Sequence, residues 1–143
     1  MIPCLLDVNV LIALAHEDHD FHAKSRAWFR HEKTRTWATC PFTEAGFVRV
    51  LSNPGYQDPP FDILDARAML AALRQLPGHC FWPVDLALED AVAPVAARFF
   101  GHQQVTDAYL LSLAIRNHGR VVTFDQGLEF LAGEEFAEHV LRL

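Results

Sequence analysis

Pro3-Cys4-Leu5-Leu6-Asp7-Val8-Asn9-Val10-Leu11-Ile12-Ala13-Leu14-Ala15 holds the key to the fold. Its first half is a short apolar run that ends on an acid. Its second half is apolar on nearly every side and long enough for two helical turns. A buried strand that stops at Asp7, followed by a helix from about Val8 to Ala15, accounts for both halves. The run ends at His16, too early to span a bilayer.

Working outward, the same alternation recurs. A helix is expected from about Phe21 to His31, with Ala23, Ala27 and Trp28 on one face. Thr36 to Thr39 is β-prone, and Pro41 then opens a helix at a position proline tolerates. Pro54-Gly55 ends that helix near Asn53, and Asn53 to Pro60 reads as a loop. Asp62 caps a helix running to about Gln75. Cys80 to Val84 is the next strand, and Asp85 to about Phe99 the next helix, with a kink or break at Pro94. Thr106 to Asn117 reads as a helix ended by His118-Gly119. Arg120 to Phe124 is a strand, Gln126 to Leu131 a short helix, and His139 to Leu143 a last strand. Strands alternating with helices predict an α/β fold: a parallel sheet covered by helices on both faces and doubly wound. No repeat, linker or composition break divides the 143 residues, so a single domain over 1–143 is expected.

The formal net charge of −6 speaks against a broadly basic nucleic-acid-binding surface. It does not exclude RNA, because bound cations cancel acidic charge locally. The three cysteines, Cys4, Cys40 and Cys80, lie in or beside apolar runs, with neither zinc-knuckle nor redox-pair spacing. They read as reduced core residues. Met1-Ile2-Pro3 carries no basic region and no cleavage site follows, so a cytoplasmic protein without a membrane anchor is expected.

Four acids fall at one edge of the predicted sheet, where ligands of open α/β folds sit. Asp7 closes the first strand, and Asp125 follows the strand Val121 to Phe124. Glu44 and Asp107 lie in the first turns of their helices. Each alone is compatible with ordinary helix capping. Register separates two of them from that reading. Glu44 lies three, four and seven residues before Phe47, Val48 and Leu51, and Asp107 lies the same distances before Leu110, Leu111 and Ala114. Both carboxylates therefore follow the buried stripe of their helices.

A buried carboxylate without a partner is costly, and no Lys or Arg stands nearby in sequence to pair with each one. A divalent cation resolves the clustering, and all-oxygen ligation selects Mg²⁺, with Mn²⁺ able to substitute. Such a site suits hydrolysis of a phosphodiester. Asn9, Thr106 and Thr123 are candidate neutral groups that orient a ligand or water, or else caps and strand residues. Asp125 has no helical register to test, which leaves direct and water-mediated ligation both open.

Leu5 to Leu14, Pro41 to Leu51, Val105 to Ala114 and Val121 to Leu128 together resemble PIN domains, in the order and spacing of the VapC toxins of type II toxin–antitoxin systems. The resemblance covers essentially the whole chain. It implies a parallel sheet of four to five strands and a Mg²⁺-dependent endoribonuclease acting on tRNA or rRNA. Asp7, Glu44, Asp107 and Asp125 carry over as the acidic site, with Asn9, Thr106 and Thr123 as polar positions. It further implies a homodimer held inactive by a VapB-like antitoxin.

Other polar groups read more plainly. His16, His19 and His22 suit loop and capping roles better than a zinc site. Lys24, Arg26, Arg30, Lys33 and Arg35 form a solvated helix face or a phosphate-tracking patch, and Arg49 pairs with an acid or touches a phosphate. Trp28-Phe29 and Phe99-Phe100 are expected in the core or at a dimer contact rather than stacked on bases. A phosphatase of the haloacid-dehalogenase type needs an aspartate where Asn9 stands and a lysine in the site, and no lysine lies beyond Lys33. A PIN-like binding module without catalysis is the remaining rival.

Overall fold

The computed structural model describes residues 1–31 and 36–143. Lys33 and Arg35 lie outside the described residues. The elements run β1 (Cys4–Leu6), α1 (Val8–Ala15), α2 (His22–His31), β2 (Trp37–Thr39), α3 (Pro41–Leu51), α4 (Ile63–Arg74), β3 (His79–Phe81), α5 (Leu88–Val92), α6 (Val105–Arg116), β4 (Arg120–Thr123), α7 (Gln126–Ala132) and β5 (Val140–Arg142). Short 3₁₀ turns at Ala93–Arg98, His102–Gln104 and Ala137–His139 complete the described chain.

The strands form one five-stranded sheet in the order β3-β2-β1-β4-β5, every pair parallel. Side-chain alternation along β1 explains why both faces must be covered. Cys4 and Leu6 join Leu11, Trp37, Phe47 and Val122 in a core beneath α1, α3 and α4. Leu5 turns the other way, to Ala38, Leu110, Leu113, Val121 and Leu128 beneath α6 and α7. Because β2 and β4 flank β1 on opposite sides, the direction in which the connections progress across the sheet reverses at β1, although all strands stay parallel. A crevice at the carboxyl ends of β1 and β4 follows from that reversal.

Several boundaries differ from expectation for identifiable reasons. Asp7 is not the last strand residue but the N-cap of α1, its side chain accepting from Val8 N–H. Ala23 and Ala27 are exposed, and α2 instead buries Ser25 and half-buries Trp28 and Phe29, because the large rings have far more apolar area to hide. The stretch from Asp85 is extended until Leu88. The helix there is five residues long and tightens into a 3₁₀ turn at Ala93, since Pro94 offers no N–H to continue an α-helix. β3 begins at His79 and ends before Pro83. His118 adopts φ 51° as α6 turns into β4.

Gly46 fixes how closely α3 approaches the start of α1. A Cβ at this position would lie 2.6 Å from Val8 Cγ2. Valine is stiff about χ1, so it has little room to yield. Gly46→Ala is expected to lower stability by about 1–3 kcal/mol through overpacking, read as a lower urea midpoint at unchanged slope. An unchanged midpoint would show that the two helices slide apart freely.

Among the described residues no helix is long and apolar enough to cross a membrane.

Candidate active site

Three acids reach the crevice from different elements. Asp7 leaves β1 and caps α1, its Oδ1 accepting from Val8 N–H at 2.8 Å. Asp125 leaves β4 and caps α7, its Oδ1 accepting from Gly127 N–H at 2.8 Å. Asp107 stands in the first turn of α6, on the face whose Leu110, Leu111 and Ala114 are buried. Capping and clustering are thus compatible: each cap uses one carboxylate oxygen and leaves the other directed elsewhere.

Thr123, fully buried at the end of β4, ties two of these acids together. Its hydroxyl donates to Asp7 Oδ2 at 2.7 Å and accepts from Asp125 N–H at 3.0 Å. Asn9 approaches the same oxygen through Nδ2 at 3.5 Å, while its Oδ1 accepts from Phe124 N–H at 3.4 Å. One neutral hydroxyl therefore sets the direction of the Asp7 carboxylate and the backbone course into Asp125. Thr106 is exposed beside Asp107 in α6.

Electrostatics follow the geometry. Burial pushes the Asp7 carboxyl above its ordinary range, opposed by the hydrogen bonds from Thr123 and Val8 and reinforced by Asp125. Asp107 is raised to about 7, first by burial and then by the charges of Asp7 and Asp125. Among the described residues no cation pairs with Asp107. It lines an open cavity of about 400 Å³ together with Asp125. Of these three acids, Asp107 is the one with no cap to make and, among the described residues, no cation to meet.

Glu44 is not brought into this group. Its Oε1 accepts from Thr39 Oγ1 at 2.7 Å and lies 3.4 Å from Arg74 Nε. Thr39 has one proton to give and spends it on Glu44, so the 2.8 Å contact to His79 Nε2 has the imidazole as donor. Burial, and then the Arg74 charge, hold His79 below the usual imidazole range. No Lys or Arg stands near Glu44 in sequence to pair with it, yet Arg74 reaches it from the last turn of α4, a partner that short-range spacing cannot reveal. Among the described residues, no three His, Cys, Asp or Glu side chains already stand at metal-ligating spacing.

The histidines have local duties. His16 Nδ1 meets Tyr56 Oη at 2.7 Å, His22 Nδ1 meets the Ala13 carbonyl at 2.7 Å, and His19 Nδ1 accepts from Phe21 N–H at 3.0 Å. Lys24, Arg26 and Arg30 are exposed along α2, and Arg49 is exposed in the last turn of α3. Cys4, Cys40 and Cys80 are free thiols, the first two buried. Thr39, Arg74 and His79 went unnoticed in the sequence. Of these, Thr39 left a trace, as a hydroxyl closing a β-prone run five residues before Glu44.

A crossover-reversed parallel sheet with acids after β1 and β4 and at the start of α6 defines a PIN-like architecture. The PIN domain profile matches residues 4–134, and the chain belongs to that family. It is similar to ribonuclease VapC38 of Mycobacterium tuberculosis (strain ATCC 25618 / H37Rv), with 51% identity over 128 residues, 90% of this chain and 89% of the relative. Ribonuclease VapC44 of the CDC 1551 / Oshkosh strain is 43% identical over 128 residues, again 90% and 89% of the two chains. Ribonuclease VapC39 of that strain is 45% identical over 124 residues, covering 87% and 89%.

Proposed function

We propose that this protein is a divalent-metal-dependent endoribonuclease, the toxin of a VapBC-type toxin–antitoxin module, working in the cytoplasm on tRNA or rRNA. The observation that carries the reading is Asp107: a carboxyl raised to about 7 by burial and by Asp7 and Asp125, with no cation beside it among the described residues. That is the electrostatic state a bound cation relieves. The likeness to ribonucleases of the VapC series supports RNA as substrate and a VapB-like protein as partner. A homodimer is part of the same reading.

The donor set fits Mg²⁺ or Mn²⁺. It is all oxygen, and Mg²⁺ uses a few carboxylates and keeps waters and substrate phosphates as its other ligands, so a closed protein cage is unnecessary. Asp7, Asp107 and Asp125 would hold the ion, and Glu44 would join once released from Arg74. Bound there, the ion supplies Lewis acidity toward a phosphodiester and lowers the pKa of water. The chain's own part is to aim and to neutralise. Thr123 holds Asp7 in direction, with Asn9 donating to the Thr123 hydroxyl, and the caps made by Asp7 and Asp125 anchor both acids to rigid helices. Arg49, Lys24, Arg26 and Arg30 are the exposed cations available to RNA phosphates.

A catalytically silent binding module would need every acid to have a structural duty. Asp7 and Asp125 have one, and Glu44 has Arg74, but among the described residues Asp107 has none. The deciding assay incubates the purified chain with total tRNA and rRNA, with Mg²⁺, with Mn²⁺ and with EDTA. Cleavage in either metal, abolished by EDTA and restored by excess Mn²⁺, is the expected result. Metal binding without cleavage of any RNA would select the binding module, and cleavage indifferent to EDTA would remove the metal from the reading.

A further inference from the structure

The cavity beside Asp107 and Asp125 is not purely acidic. Phe100 and Phe130 also line it, and both rings are strongly exposed, at 76% and 57%. The ring before Phe100 is not: Phe99 packs against the cluster of Val95, Leu111 and Leu131. Of the Phe99-Phe100 pair, expected in the core or at a dimer contact, Phe99 takes the core place and Phe100 lies outside the core. One ring is anchored and the next is presented.

Presentation of Phe100 is enforced by the backbone around it. Gln104 Oε1 accepts from Phe100 N–H at 2.6 Å and from Gly101 N–H at 3.2 Å, while Gln104 Nε2 donates to the Arg98 carbonyl at 2.9 Å. A single amide thus clamps the loop carrying Phe100. Arg98 in turn donates from Nε to the Leu131 carbonyl at 2.8 Å and from Nη2 to the Ala132 carbonyl at 3.1 Å. Those carbonyls close α7, the helix that carries Phe130. Gly133, at φ 61°, leaves room for the guanidinium, where a Cβ would lie 2.8 Å from Arg98 Nε. Loop and helix are therefore locked together, and the two exposed rings keep fixed places in the lining of the cavity that Asp107 and Asp125 share.

We propose that Phe100 and Phe130 form a preorganised seat for an unpaired nucleobase of the RNA, next to the phosphodiester facing Asp107 and Asp125. The inference rests on the ribonuclease reading and deepens it by naming the two side chains that receive a base beside the cut. Base–aromatic stacking tolerates any base because every base has a π-face. A duplex hides its bases in the stack and cannot offer one. The cavity has the size of a small-ligand cleft, whereas a stable protein interface needs a far wider apolar surface than two rings. An apolar protein face laid here would also strip water from the Asp107 and Asp125 carboxylates without compensation.

The test measures binding by fluorescence anisotropy in an Asp107→Asn background, which prevents turnover. The probes are fluorescein-labelled oligo(rA) and oligo(rU) dodecamers, a matched rA·rU duplex, and a dodecamer of abasic ribose units. Both single strands are expected to bind more tightly than the abasic strand or the duplex. Phe100→Ala and Phe130→Ala should each weaken single-strand binding by about tenfold and leave abasic binding unchanged. Ile63→Ala, on an exposed apolar residue of α4, should change neither. Because both rings are exposed, these variants are expected to keep the parent's circular dichroism and melting midpoint. Equal affinity of parent and ring variants, or equal losses on abasic and base-bearing strands, would overturn the seat. So would conversion of a dimer to a monomer in sedimentation with RNA binding intact, which would assign the rings to a second copy. If the Asp107-intact chain cleaves those RNAs while the rings prove irrelevant, only this inference falls. If it neither binds nor cleaves RNA, the ribonuclease reading falls with it.

Discussion

Asp107→Asn is expected to remove RNA cleavage by about 10³-fold or more, equivalent to ~4 kcal/mol of transition-state stabilisation, and yet to make the metal-free protein more stable. The two effects share one cause. Asp107 is raised from 3.8 to about 7 by burial and by Asp7 and Asp125. Between those values the folded chain holds a proton that the unfolded chain has released. Stability in EDTA therefore falls as pH rises from about 4 to 7 and stays low above that window. The carboxyl is partly open to the cavity, so solvent screening reduces the contribution to about 1–2 kcal/mol. Asparagine keeps the shape and discards the charge. Thermal melts in EDTA at about pH 5.5 and about pH 8 should show a pH-dependent midpoint for the parent and a flatter, higher one for the variant. Added Mg²⁺ should raise the parent at the higher pH and leave the variant nearly unmoved. A variant that melts lower than the parent in EDTA at the higher pH would mean that Asp107 is a structural acid after all.

That opposition between stability and activity clarifies what could be read from sequence. The place of Asp7 was legible because an apolar run ending on an acid, followed at once by a helix, puts that acid at the carboxyl edge of the sheet, whether or not it also caps the helix. Asp107 was legible through register, since Leu110, Leu111 and Ala114 are all buried on its face. For Glu44 the same reasoning gives the direction but not the partner. Its register is correct, with Phe47 and Leu51 buried, but its charge is met by Arg74 from α4, a contact made only when two helices pack. Register tells where a side chain points along its own helix and nothing about what waits there. Asp125 shows the converse. It has a cap to make, which by sequence alone looked like an alternative to site membership, but a carboxylate has two oxygens and the cap occupies one.

The loop before α6 was illegible for a different reason. Phe99 and Phe100 are chemically identical and adjacent, and no helix or strand period applies between a 3₁₀ turn ended by Arg98 and the one starting at His102. Which ring turns inward is decided by Gln104 and Arg98, through hydrogen bonds to backbone atoms that carry no sequence signature. The fold was therefore readable where apolar periodicity dictates burial. The site was readable only where periodicity happened to aim at it.

Thr123→Val puts the buried hydroxyl to the strictest test, because it alters no charge and almost no volume. The hydroxyl donates to Asp7 Oδ2 and accepts from Asp125 N–H, and valine can do neither. A lost hydrogen bond to a buried charged group, with its partner left unsatisfied, costs about 1–3 kcal/mol, so the melting midpoint should fall. The functional loss should be separable from this. With Asp7 free to rotate, metal affinity and cleavage should each drop by about 10- to 100-fold, as when a group orienting a metal ligand is removed. Mn²⁺ titration followed by calorimetry measures the first, and RNA cleavage at saturating Mn²⁺ measures how much of the second is recovered by mass action. Thr123→Ser restores the hydroxyl without the methyl, and should recover metal affinity even though it leaves a small cavity under β4. If serine recovers stability but not affinity, or if valine lowers stability while metal affinity stays at the parent value, Thr123 serves the sheet alone. The direction of the Asp7 carboxylate must then be set by the α1 cap from Val8 N–H, which both variants retain.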